Sequence, residues 1–258
     1  MGKIVAFANQ KGGVGKTTTC INLSSYLASF GKRVLILDID PQGNSTTGVG
    51  VEKVKGLKTI YNVICGENDI SEVVIKTQIK NLEIIPVNQD LVGAELELVQ
   101  MKGREKKLKE YLDSIKASYD FICIDCPPSL SLLTVNALTA ADSVFIPIQC
   151  EFFALEGLSQ LMNSVKLIKR AFNPNLEVEG VLLTMEDKRA TLTKQVASEI
   201  NKYFGKKVFR TRIPRSIRLA EAPSHGKPIM LYDKKCNGAI AYYLLSKEFL
   251  ERQPKPIK

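Results

Sequence analysis

The sequence predicts an α/β protein built on an open, mostly parallel twisted sheet flanked by helices. Two observations carry that expectation. Short apolar runs recur along the chain, and several are continuously apolar rather than alternating, as parallel strands covered on both faces require. Between the runs lie longer stretches in which apolar residues return at helical spacing, so strand and helix alternate.

In chain order, the strands read as Ile4 to Ala8, Val34 to Leu37, Leu82 to Val87, Phe121 to Ile124, Val144 to Ile148, Val178 to Leu183 and Val208 to Ile213. Cys20, Leu23, Leu27 and Phe30 mark the first helix, which Gly31 is placed to end. Leu158, Leu161, Met162, Val165 and Ile168 form a second stripe, and Leu192, Val196, Ile200 and Phe204 a third. Residues from about Asn88 to Ser118 read as additional helices. Ala241 to Leu250 reads as a helix packed on the core through Tyr242, Tyr243, Leu244 and Leu245. The tail Gln253-Pro254-Lys255-Pro256 is expected to fray. No repeat, low-complexity tract or long linker divides the 258 residues, so one domain over 1–258 is the simplest organisation.

Composition narrows the functional classes. Apolar residues make up 45% and charged residues 24%, values that argue against disorder, collagen-like repeats and a disulfide scaffold. No stretch approaches the roughly 18 apolar residues that suggest a membrane span. Gln10 and Lys11 end the first apolar run too early for a signal peptide, and six cysteines in such a chain suggest reduced thiols and a cytoplasmic location. Cys123 and Cys126 have C-x-x-C spacing. Residues three apart on a strand face opposite ways, however, and the single histidine, His225, offers no companion ligand, so inert thiols are expected. Lys plus Arg total 36 against 27 Asp plus Glu, a net charge of +9. Residues 186–236 hold 13 basic and 5 acidic side chains, a net of +8, and a local field of that sign suggests a polyanion partner.

The most informative segment lies between the first strand and the first helix: Lys11-Gly12-Gly13-Val14-Gly15-Lys16-Thr17-Thr18. Three glycines in four residues let a loop turn sharply and aim successive backbone N–H groups inward as an anion cradle. The helix that follows adds unpaired N–H groups and the positive end of its dipole. Lys16 can reach the β- and γ-phosphates of a nucleotide, and the Thr17 hydroxyl is placed to ligate Mg²⁺. After the second strand come Asp38 and Asp40, which alternation puts on one side at the C-terminal edge of the sheet, where ligands bind open α/β folds. One of them can orient an attacking water or support the water shell of the metal. Phe121-Ile122-Cys123-Ile124-Asp125 is an apolar strand ending in a carboxylate, as a Walker B strand requires, with Asp125 on the Mg²⁺ side.

The loop departs from G-x-x-x-x-G-K-[ST], since Gln10 stands where the first glycine belongs and a second lysine, Lys11, opens the loop. In this K-G-G-V-G-K-T form it resembles the deviant Walker A ATPases of the P-loop NTPase fold, a family that includes ParA/Soj, MinD, the nitrogenase iron protein and the arsenite-pump ATPase. The resemblance implies that Lys11 crosses a dimer interface to the partner's nucleotide, so that ATP joins two subunits. It also implies that Asp40, in the segment similar to the family's A′ box, serves hydrolysis.

The box Asn9-Gln10-Lys11-Gly12-Gly13, the run Asp40-Pro41-Gln42-Gly43-Asn44, Cys150-Glu151-Phe152-Phe153-Ala154-Leu155-Glu156-Gly157, Ile213-Pro214-Arg215 and Arg218-Leu219-Ala220-Glu221-Ala222-Pro223-Ser224 look like the chromosomal ParA/Soj group. That likeness implies a slow ATPase with ATP/ADP and Mg²⁺ as cofactors and an ATP-bound homodimer that holds double-stranded DNA without reading its sequence. A ParB-type centromere-binding protein would stimulate hydrolysis and release, driving chromosome or plasmid segregation in the cytoplasm on the nucleoid. Arg189 and Arg218 are the residues it implies for DNA, with Lys202 and Lys206 in support. Pro214 and Ser216 fall where the group has its adenine-side loop, although many relatives have Asn at the position of Ser216. MinD-like membrane association is the nearest alternative, but two prolines and no basic amphipathic segment follow the last helical stretch. An iron–sulfur carrier or reductase role is the other.

Overall fold

A computed structural model describes residues 2–151, 153–187 and 190–254, with the side chain of Leu192 excepted. Lys188, Arg189, Phe152 and the tail beyond residue 254 lie outside the described residues. Seven strands form one sheet: β1 (Lys3–Phe7), β2 (Val34–Asp38), β3 (Ile75–Lys76), β4 (Leu82–Ile85), β5 (Phe121–Asp125), β6 (Ser143–Gln149) and β7 (Glu177–Thr184). Their order is β3-β4-β2-β5-β1-β6-β7, and every pairing is parallel except that of β3 with β4. The first six predicted strands lie within two residues of their expected bounds. The two-residue edge strand β3 is too short to leave a periodic signal.

The helices are α1 (Lys16–Ser29), α2 (Asn44–Gly48), α3 (Ile60–Ile64), α4 (Leu91–Gln100), α5 (Lys107–Ile115), α6 (Leu132–Ala140), α7 (Ala154–Ala171), α8 (Thr191–Phe204), α9 (Ile217–Glu221), α10 (Ile229–Tyr232) and α11 (Asn237–Glu251). Alternation along the buried strands splits the core into two layers. Ile4 and Ala6 of β1 face a layer built with α3 to α8, whereas Val5 and Phe7 face α1 and α11. Burying both faces is what makes the strands continuously apolar. Gly31, with φ +84°, ends α1 in a left-handed turn. Tyr242, Leu245 and Phe249 seat α11 in the second layer. No helix among the described residues is long and apolar enough to cross a membrane.

The seventh predicted strand does not form. Residues 208–214 form no ladder with β7, pairing only at isolated bridges, Val208 with Val181 of β7 and Pro214 with Glu186 beyond its end. The reason lies in α11, where the buried carboxylate of Glu248 accepts hydrogen bonds from Arg210 N and Thr211 N, each at 2.8 Å. A side chain thus takes the donors that a ladder would use, and the segment bows away from the sheet at its middle. Glu248→Ala leaves two backbone donors and the Arg252 guanidinium without their acceptor. We expect a loss of about 2–4 kcal/mol on chemical denaturation, because an orphaned buried group costs roughly 1–3 kcal/mol. Unchanged stability would show that the bow is held by something else.

Candidate nucleotide site and basic surface

The glycine loop leaves the C-terminal end of β1, at the centre of the sheet, and runs into α1. Gly13 at φ +74° and Gly15 at φ +83° occupy the left-handed region that glycine alone enters freely, and Gly15 is the N-cap of α1. Thr184 Oγ1 donates to Val14 O at 2.8 Å, fixing the loop against the end of β7. The first turn of α1 has no side-chain cap, so its N–H groups remain for a ligand at the dipole's positive end.

Lys16 is buried, and its Nζ donates back to Lys11 O at 3.2 Å. Burial pulls its ammonium below the usual lysine range, opposed by the nearby carboxylates of Asp125 and Asp40. A desolvated cation beside a cradle of backbone N–H groups is the arrangement that an incoming phosphate completes. Lys11, at the other end of the loop, is half exposed and forms an ion pair with Glu151 at 2.5 Å. The structure therefore places both lysines at the loop, but gives Lys11 an acid partner within its own chain.

Asp125 ends β5 fully buried, and Ser45 Oγ donates to its Oδ2 at 2.8 Å. Its Oδ1 is also buried and makes no hydrogen bond among the described residues. Burial raises the acid's pKa above the usual range, while Ser45, Thr17 and Lys16 hold it down. A buried carboxyl with one unpartnered oxygen, adjoined by the Thr17 hydroxyl, is an all-oxygen donor set of the kind Mg²⁺ takes, largely through water, so the site fits that ion. Among the described residues no cluster of three or more His, Cys, Asp and Glu side chains has metal-site geometry. Cys123 and Cys126 pack in opposite layers of the core.

The two aspartates at the end of β2 and just past it are not equivalent. Alternation does not carry past Asp38, because β2 stops there. Asp38 is fully buried and accepts from Thr46 N and Thr46 Oγ1, both at 2.8 Å, and from Asp40 N at 3.2 Å. Burial, with Asp125 adjacent, pushes its carboxyl well above the usual range, which suits a structural anchor. Asp40 lies beyond the strand, near Lys16 and Asp125, and its Oδ1 accepts from Gln42 N at 3.0 Å. It is at once a turn residue and the carboxylate facing the loop.

Beside Gly15 and Thr18 a cavity of about 360 Å³ opens, lined by Met185, Pro214, Ser216 and Tyr242 among others. The structure thus brings Pro214 and Ser216 to the loop that holds the predicted phosphate cradle. Ser45 and Glu151 were not assigned roles from sequence. Glu151 falls in a run that carries the ParA/Soj likeness, but the partners of Ser45 and Glu151 lie 80 and 140 residues away, so neither pairing leaves a local signal.

The basic segment is less free than its charge count implies. Lys202 pairs with Glu199, Lys207 with Glu177, Arg212 with Glu186, Arg210 with Glu248 and Glu251, and Arg218 with Glu221 and Asp233. Among the described residues, Lys194, Lys206, Arg215, Lys227, Lys234 and Lys235 are exposed cations in this stretch without an acid within ion-pair distance.

The family model described as AAA domain matches residues 2–178. Over 248 residues the chain is 56% identical to the sporulation initiation inhibitor protein Soj of Bacillus subtilis (strain 168), covering 96% of this chain and 98% of that protein. It is 50% identical over 253 residues to the chromosome partitioning protein ParA of Caulobacter vibrioides (strain NA1000 / CB15N), covering 97% and 95%. Among solved structures, cobyrinic acid a,c-diamide synthase from Mycobacterium smegmatis with bound ADP and magnesium matches with a TM-score of 0.85 at 35% identity, covering 97% of this chain and 95% of that one.

Proposed function

The chain belongs to the Soj/ParA family of chromosome-partitioning ATPases, and on that footing we propose that two copies clasp a pair of ATP molecules and in that form hold double-stranded DNA nonspecifically. Hydrolysis, slow in the isolated protein and stimulated by a ParB-type centromere-binding partner, releases the DNA and drives segregation of a chromosome or plasmid. The working location is the cytoplasm, on the nucleoid, with no membrane step. The observation that carries the reading is the convergence of Lys16, Asp40 and Asp125 on the glycine loop, in a chain alike to partitioning proteins over nearly its whole length.

The chemistry is in-line attack of water on the γ-phosphate. Backbone N–H groups of residues 12–18 and the buried Lys16 hold the phosphates, and the charge that develops in transit falls on donors already in place. The Thr17 hydroxyl and Asp125 would hold Mg²⁺, which would supply further charge neutralisation. Asp40 orients the attacking water. Lys11 acts across the interface, where two facing triphosphates repel one another and need added cations. To do so it leaves Glu151, and a pair this exposed contributes at most about 1 kcal/mol, which a triphosphate readily displaces. Pro214 and Ser216 contact the base.

Co-sedimentation with DNA in the presence of ATP, ADP or neither, repeated with liposomes, tests the reading. Retention on DNA with ATP alone is expected; retention on liposomes, or on DNA irrespective of nucleotide, overturns it. Lys206, exposed and with no acid partner among the described residues, is the clearest phosphate contact, whereas Arg218 must exchange Glu221 and Asp233 for DNA. Arg189 and Lys202 complete the proposed set. Lys206→Glu should weaken DNA binding and flatten the dependence of log affinity on log salt by about one unit while nucleotide binding stays intact. Arg218→Glu should weaken it further, because Glu221 and Asp233 are then unopposed. An unchanged salt slope in both variants removes these residues from the surface.

A further inference from the structure

We infer that Ser45 is a positioning residue for the reaction, acting through Asp125. The inference rests on the ATPase reading above. Strands β2 and β5 are neighbours, and their last residues, Asp38 and Asp125, stand opposite one another in the ladder. Two consecutive residues of α2 each give a hydroxyl to one of these carboxyl groups: Thr46 to Asp38 and Ser45 to Asp125, both at 2.8 Å. All four side chains are fully buried. A five-residue helix thereby straddles the ends of two strands.

The two contacts do different work. Thr46 also accepts from Val87 N at 3.1 Å and donates its own backbone N–H to Asp38, so it anchors α2 to β2 and to the segment after β4. Among the described residues, the Ser45 side chain bonds to Asp125 alone. The torsion that swings a carboxylate about its last bond is broad and soft, so an aspartate held at neither oxygen has no fixed aim. Ser45 fixes Oδ2, and that leaves Oδ1 as the free oxygen, buried and unpartnered among the described residues, on a carboxyl that Thr17 also adjoins. Because Asp40 lies five residues before Ser45 on the same connection, the hydroxyl also ties the water-orienting carboxylate to the end of β5. A hydrogen bond of this kind, to a group that itself meets the metal's water, typically changes metal affinity or turnover by about 10–100-fold when removed.

The experiment is a Mg²⁺ titration of fluorescent ATP-analogue binding, beginning from EDTA, with turnover measured in parallel. Ser45→Ala should bind the analogue in EDTA as the unmodified chain does. Its Mg²⁺ midpoint should rise about tenfold, and kcat should fall about tenfold at saturating Mg²⁺ with KM for ATP little changed. Ser45→Thr, which keeps the hydroxyl, should restore both. Ser45→Cys, similar in size but a weak donor, should repeat the alanine result and serves if alanine impairs folding. An unaltered Mg²⁺ midpoint in a folded Ser45→Ala or Ser45→Cys protein overturns the inference. So does an equal loss of affinity with and without Mg²⁺, which marks a merely structural role. If the unmodified chain shows no Mg²⁺-dependent nucleotide binding, the ATPase reading itself fails before Ser45 is at issue.

Discussion

Gly12→Val should leave the chain folded and able to take up ATP while abolishing its ATP-dependent doubling in mass. The argument turns on how the three loop glycines differ. Gly13 and Gly15 sit at φ +74° and +83°, so a valine at either would strain the loop from within. Gly12 has no left-handed φ, and a Cβ built there meets no atom within 4 Å. It is exposed at the outermost turn of the loop, beside Lys11. One chain has room for the side chain, so any penalty must come from a second chain facing it. Overpacking a close contact costs about 1–3 kcal/mol, and a symmetric pair meets the intrusion twice, which lowers association by roughly a hundredfold or more. Light scattering with a non-hydrolysable analogue measures it. A normal ATP-dependent dimer in the variant would show that the loops do not face one another, and Lys11 would lose its role across the interface.

The parts of this molecule that were legible in its sequence are those set by neighbours along the chain. The loop at 11–18 could be read because turn, cradle, lysine and hydroxyl all fall within eight residues between a strand and a helix. Asp125 could be read because it ends an apolar run. The failure at residues 208–213 has a different origin. The local pattern is that of a strand, and the acceptor that diverts its N–H groups sits 38 residues later, on the core side of α11. The different surroundings of Asp38 and Asp40 were not legible for a related reason: alternation describes a chain only while the strand lasts, and Asp40 lies past the end of β2. A charge sum hides pairings of the same kind: the +8 of residues 186–236 already counts Glu186, Glu199, Glu221 and Asp233, but Glu177 of β7 and Glu248 and Glu251 of α11 lie outside the stretch and meet Lys207 and Arg210.

Asp40→Ala should lose hydrolysis by about 10²–10⁴-fold, the usual span for a removed general base, while keeping ATP and remaining dimeric on DNA. Asp40 adds negative charge beside Asp125 and Lys16, where triphosphate is proposed to bind, so its removal relieves repulsion and does not weaken nucleotide capture. Its other contact is local, since Oδ1 accepts from Gln42 N and Asp40 O accepts from Gly43 N at 2.7 Å, closing the turn before α2. Alanine removes the first of these and keeps the second. Asp40→Asn preserves both through its amide oxygen and removes only the charge. If the carboxylate orients water, both variants stall after binding and their dimers persist. If Asp40 matters through the turn, Asp40→Asn hydrolyses near the normal rate and Asp40→Ala alone fails. A protein that stays monomeric with ATP in both variants would move the residue from hydrolysis to assembly, because the clasped state would then need the charge that the reaction was thought to use.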